Sequence, residues 1–141
     1  FATVIAYNSL QNVDDLEGTI AEIARVLVDG GQLCACIAHP MTDAGRFASR
    51  DASAPFVIKD SYYGPRRLDE RVERDGIEMT FHGWMYSFEE YTRPLEEAGF
   101  VIDVLREPRP SVDAGGGSDG LAQWQRLPLF MMFRATKSRA G

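Results

Sequence analysis

The chain has 141 residues, 45% of them hydrophobic and 26% charged, the balance of one ordinary globular domain with enough apolar side chains for a core of its own. With 15 basic and 21 acidic residues the formal net charge is -6, and Arg66, Arg67, Arg71 and Arg74 are interleaved with acids, which argues against a nucleic-acid partner. No apolar run approaches the roughly 20 residues a bilayer-spanning helix needs, so a membrane partner is not expected either.

Residues 2–7 form a short continuous apolar run, the pattern of a parallel strand covered on both faces, and the chain opens inside it with no initiator Met. Asp14 or Asp15 can cap the next segment, Asp14 and Glu17 have capping-box spacing, and Leu16, Ile20, Ile23, Ala24 and Leu27 recur at helical spacing. This predicts an amphipathic helix of about four turns, closed by the glycines of Asp29-Gly30-Gly31. Residues 32–38 read as a second buried strand, with Cys34 and Cys36 on one face as small reduced core residues, the usage of a cytoplasmic protein. Strand, helix and strand make a βαβ unit over residues 1–40, hence a parallel crossover and an α/β fold. Ligands of such sheets sit beyond the carboxyl ends of the strands, which places Tyr7-Asn8-Ser9-Leu10-Gln11 and His39-Pro40 side by side on the candidate functional edge.

The pattern changes over residues 41–86, where Asp75-Gly76 between β-favouring residues reads as a hairpin turn. An aromatic-rich insertion of this length suits a lid over a pocket; a hairpin that only extends the core is the alternative. Residues 87–141 then supply a helix and strands. Ser87 and Glu90 have capping-box spacing, and Phe88, Tyr91, Leu95 and Ala98 form an apolar stripe ending at Gly99, with Pro94 inside as a source of a kink or an unpaired carbonyl. Residues 100–105 and 127–135 read as strands, and the stretch around Gly115-Gly116-Gly117 between them as a flexible loop, since no helix follows it to make a nucleotide cradle.

In this order the pieces resemble the C-terminal half of the class I S-adenosylmethionine-dependent methyltransferases. The residues that carry the resemblance are Val4-Ile5-Ala6-Tyr7-Asn8-Ser9-Leu10-Gln11, the string Arg25-Val26-Leu27-Val28-Asp29-Gly30-Gly31, and Leu95-Glu96-Glu97-Ala98-Gly99-Phe100. In the family the string at residues 25–31 reads Arg-Val-Leu-Lys-Pro-Gly-Gly, so Val28 and Asp29 depart from it. The resemblance implies a Rossmann-like mixed sheet of order 3-2-1-4-5-7-6, of which this chain supplies strands four to seven, the last antiparallel. It also implies that the glycine-rich cofactor loop and the ribose-binding acid lie outside this sequence, and that the first strand is a bare edge suited to a homodimer or larger assembly.

The resemblance further implies S-adenosylmethionine as cofactor, held by Ala6, Tyr7, Asn8, Ser9 and Gln11, and a small-molecule acceptor. Because the sulfonium methyl is already activated, the protein chiefly aligns the acceptor and excludes water; a base is needed only where the acceptor carries a proton. His39 and His82 are the candidates for that role, with structural hydrogen bonding as the alternative for each. Tyr62, Tyr63, Trp84 and Tyr86 either line an acceptor pocket or belong to the core. No metal site is expected from two histidines without a Cys or Asp cluster. The competing readings are a non-catalytic association module derived from a methyltransferase and half of an NAD-dependent oxidoreductase, whose sheet lacks the antiparallel last strand.

Overall fold

The computed structural model describes residues 1–111 and 122–138; the segment around Gly115-Gly116-Gly117 lies outside the described residues. Strand β1 (Thr3–Tyr7) leads through helix α1 (Leu16–Val26) to β2 (Gln32–Ala38). Two short strands, β3 (Gly45–Phe47) and β4 (Phe56–Ile58), and a long hairpin, β5 (Arg66–Arg74) with β6 (Ile77–Met85), follow. Helix α2 (Phe88–Glu97), β7 (Phe100–Arg106) and β8 (Phe130–Lys137) complete the order.

β1, β2, β8 and β7 form one sheet in that order, with β1 parallel to β2 and β8 antiparallel to both of its neighbours. This is the 4-5-7-6 arrangement expected from the sequence, reversed last strand included. Ala6, Leu33, Ala35, Ile37, Met131, Phe133 and Ala135 point to one face, where they pack on Leu16, Ile20 and Ala24 of α1 and on Tyr91 and Leu95 of α2. The opposite face is open: Ile5 and Tyr7 are 76% and 68% exposed, so β1 is not covered on both faces as its apolar run predicts.

α1 is shorter than its sequence pattern. Its cap is Asp15, whose carboxylate accepts the Gly18 N–H at 2.8 Å, so Asp14 and Glu17 do not form the capping box. The helix stops at Val26, ahead of the glycines, where Leu27 turns extended; Lys137 Nζ donates to the Ala24 and Leu27 carbonyls at 2.8 and 3.0 Å and the Phe1 amino group to the Val26 carbonyl at 2.7 Å. Gly30, at φ 76°, serves the turn into β2 instead.

α2 carries the full capping box: Ser87 Oγ accepts the Glu90 N–H at 3.4 Å and Glu90 Oε2 accepts the Ser87 N–H at 2.6 Å. The helix runs on through Pro94, which is buried, and closes at Gly99, whose φ of 79° is open to a residue without a Cβ. The hairpin turn forms as its sequence predicts, with Asp75 and Gly76 at φ 53° and 77° between Arg74 and Ile77, the two positive angles of a type I′ turn.

Candidate functional site

The carboxyl ends of β1 and β2 open on a cleft of about 350 Å³ lined by Asn8, Gln11, Asn12, Ala38 and, from the hairpin, Phe81, His82 and Trp84. Asn8 follows β1 directly. Its N–H donates to the Cys36 carbonyl at 2.8 Å, which ties the loop to β2, and its φ of 47° turns the chain away from the strand. Asn tolerates this left-handed conformation better than most residues. Leu10 anchors the following turn in the core, and the Asn12 N–H closes it on the Ser9 carbonyl at 3.0 Å.

Two side-chain atoms in this loop stand out. Asn8 Oδ1 and Gln11 Oε1 are buried acceptors with no hydrogen-bond partner among the described residues. A buried acceptor left unpaired costs about 1–3 kcal/mol, so the loop presents sites for an incoming donor.

The hairpin stands on this loop. A Cβ at Gly83 would lie 3.2 Å from Asn12 Oδ1 and from the Gln11 carbonyl, so glycine permits the close approach. Trp84 Nε1 donates to Asp14 Oδ1 at 3.0 Å, and the Trp84 ring stacks on Tyr86 with centroids 6.4 Å apart. Tyr86, buried, donates its hydroxyl to the Val13 carbonyl at 3.3 Å; burial raises its pKa and keeps it a donor. Trp84 and Tyr86 therefore pin the base of the hairpin to the loop after β1.

The two histidines occupy different environments. His82 Nδ1 lies 2.5 Å from Asp69 Oδ1, its opposite number on β5, and this hydrogen bond holds the Asp69 carboxyl below the usual range. With Nδ1–H committed to the carboxylate, the Nε2 lone pair is left without a partner among the described residues. His39 has neither nitrogen spare: Nδ1 accepts the Met41 N–H at 3.2 Å, which puts the ring proton on Nε2, and Nε2 lies 3.0 Å from Glu107 Oε1.

The remaining residues singled out from sequence separate into four places. Ala6 is in the core and Tyr7 lies on the open sheet face. Tyr62 shares an apolar cleft with His39, and its hydroxyl accepts the Phe88 N–H at 3.0 Å. Tyr63, 79% exposed, borders a third cleft with Asp14, Tyr86 and Arg93. Sequence reasoning passed over Asp69 and Glu107, the partners of the two histidines. No grouping of His, Cys, Asp and Glu that could hold a metal occurs among the described residues.

A parallel pair continued by a reversed strand lodged between β2 and β7 is the arrangement of the C-terminal part of the class I methyltransferase fold. Solved structures agree. The chain matches an S-adenosylmethionine-dependent methyltransferase from Mesorhizobium loti with a TM-score of 0.72 at 17% identity, over 97% of this chain and 62% of that one. It matches a methyltransferase from Methanosarcina mazei with a TM-score of 0.61 at 18% identity, over 99% and 60%. The glycopeptide N-methyltransferase MtfA, solved with S-adenosyl-L-methionine, gives 0.55 at 15%, over 97% and 57%. The chain thus spans about 60% of the length of these structures. No protein-family model matches the sequence, and no curated protein matches it.

Proposed function

We propose that this chain forms one wall of the cofactor site, together with the lid, of an S-adenosylmethionine-dependent methyltransferase acting on a small-molecule acceptor. The observation that carries the reading is the pair of unpartnered buried acceptors, Asn8 Oδ1 and Gln11 Oε1, at the carboxyl edge of a sheet with the methyltransferase strand order. Both fit the ammonium, hydroxyl and amino hydrogens that S-adenosylmethionine offers. When bound, the cofactor supplies a sulfonium methyl that needs no further activation.

The chain's own residues then have simple tasks. Asn8 and Gln11 accept from the cofactor, with Ala6, Tyr7 and Ser9 providing backbone beside them. The insertion of residues 41–86 acts as the lid, its hairpin held over the loop by Trp84 and Tyr86 and excluding water from the cleft. His82, on the cleft wall with a free Nε2, takes the acceptor's proton, and Asp69 orients it; His39, with both nitrogens committed, positions Glu107 instead. The free thiols Cys34 and Cys36 support a reducing, cytoplasmic setting, and the bare edge of β1 supports a homo-oligomer.

Titration of S-adenosylhomocysteine into this chain by calorimetry tests the reading. Saturable binding that weakens about 3- to 10-fold for Asn8→Ala and for Gln11→Ala, the range of a single lost hydrogen bond, is the expected result. Binding indifferent to both substitutions, or no binding either to this chain or to a longer form that carries the cofactor loop, would leave the association module as the better reading.

A further inference from the structure

We propose that the chain holds a second small-molecule site, specific for an apolar amine, in the cleft between the ends of β2 and β7, the segment after β2, and the start of α2. The cleft measures about 520 Å³, within the range of roughly 300–1,000 Å³ typical of small-ligand sites. Its walls are Met41, Ile58, Phe88, Leu105 and Met131, four of which remain exposed to solvent although large and apolar. Such a gathering of exposed apolar side chains around a concave site is the signature of a ligand surface.

The charge at its mouth selects the ligand. Among the lining residues Glu107 is the one carboxylate, and no lysine or arginine joins it there. Glu107 Oε1 takes the His39 Nε2 hydrogen at 3.0 Å, while Met41 N–H on Nδ1 holds the imidazole in place. Oε2 has no partner among the described residues, so the carboxylate that His39 anchors at the rim of this apolar hollow has one acceptor to spare. An ammonium attached to a hydrocarbon or aromatic body satisfies both, and a carboxylate or phosphate would be repelled.

The site is distinct from the cofactor cleft. Ala38, Asp43 and Phe130 line that cleft, whereas their successors His39, Ala44 and Met131 line this one, so the two stand on opposite sides of a common wall. The amine site therefore does not depend on the methyltransferase reading, and its test needs no cofactor.

The experiment is an amide-resolved NMR titration of the chain with 2-phenylethylamine and with its neutral counterpart 2-phenylethanol. The amine is expected to shift the amides of Met41, Phe88 and Leu105 and to bind at least about 10-fold more tightly than the alcohol, in the range of a charge-assisted hydrogen bond. Glu107→Gln keeps the shape and the His39 contact and should abolish that preference. Ile58→Lys, at an exposed position, should abolish binding by placing a cation in the cleft. Equal binding of amine and alcohol, a preference that survives Glu107→Gln, shifts confined to the loop of Asn8 and Gln11, or no binding at all would each overturn the proposal.

Discussion

Asp69 and His82 stand directly opposite one another on β5 and β6, with Oδ1 and Nδ1 2.5 Å apart, and the hairpin presents the pair beside the loop that carries Asn8 and Gln11. A carboxylate on Nδ1 fixes the tautomer that leaves Nε2 free to accept a proton. In long-range proton–nitrogen NMR spectra His82 is expected to show a protonated Nδ1 and a bare Nε2, a preference lost in Asp69→Asn. His82→Gln should lower methyl transfer to a hydroxyl or ammonium acceptor by about 10²- to 10⁴-fold while leaving S-adenosylhomocysteine binding unchanged. An equal loss in His39→Gln would reverse the roles assigned to the two histidines.

That pairing follows from the turn alone, although Asp69 was passed over in the sequence. Once Asp75-Gly76 is a two-residue turn, every step back from Arg74 is matched by a step forward from Ile77, and Asp69 meets His82. The capping box of Ser87 and Glu90 and the reversed last strand were legible for the same reason, since each depends on local spacing or on string order. The contact of His39 with Glu107 was not: 68 residues separate them, and their strands come within reach only because β8 lies between β2 and β7. The end of α1 falls short of the glycines, and the groups that satisfy its carbonyls, Lys137 and the Phe1 amino group, come from outside its local sequence.

Gly83 sets how closely the hairpin approaches the loop. A Cβ there meets two oxygens at 3.2 Å, a tight contact that the added methyl groups of valine worsen, so Gly83→Val should push the hairpin away from Gln11 and Asn12. The expected outcome is weaker S-adenosylhomocysteine binding with an unchanged far-UV circular dichroism spectrum. Loss of the folded spectrum would instead make Gly83 a folding residue and the hairpin part of the core.

Core and cap substitutions grade the energetics of the scaffold. Leu95 is 1% exposed in the cluster that α2 shares with the sheet, and Leu95→Ala should cost about 2–5 kcal/mol in urea unfolding. Ser87→Ala removes the hydroxyl that accepts the Glu90 N–H and should cost about 0.5–2 kcal/mol. If the cap cost as much as the leucine, the helix rather than its packing would govern stability.

Acid should loosen the outer edge of the sheet first. Asp103 sits at the bulge in β7 and accepts from Arg134 Nε and a second guanidinium nitrogen, both at 3.0 Å, and from Thr136 Oγ1 at 3.1 Å. The Arg134 hydrogen bond is the main cause of its lowered pKa. A carboxyl lowered on folding adds stability above its unfolded value, about 3.9, and that contribution disappears as the pH falls through the folded value. Asp103→Asn should therefore lower stability slightly at pH 7 and flatten the loss between pH 5 and 2 in a thermal-melt series. The pair is largely solvated, so the effect is small.

The open face of β1 yields the last prediction. At the other edge of the sheet, β7 is interrupted by its bulge and carries Asp103, two devices that discourage strand addition. β1 has neither: Thr3-Val4-Ile5-Ala6-Tyr7 contains no charge and no proline, pairs on one side with β2, and exposes Ile5 and Tyr7 on its free face. An apolar strand pattern with one side and one face unpaired favours a second polypeptide, and a second copy of this chain is always at hand. Sedimentation velocity should show a concentration-dependent shift from monomer to dimer, and Ile5→Lys should hold the chain monomeric with its melting temperature unchanged, because Ile5 contributes little buried area within one copy. A monomer at every concentration in the parent sequence would sink the edge as an association surface, and a dimer that survives Ile5→Lys would place the interface elsewhere.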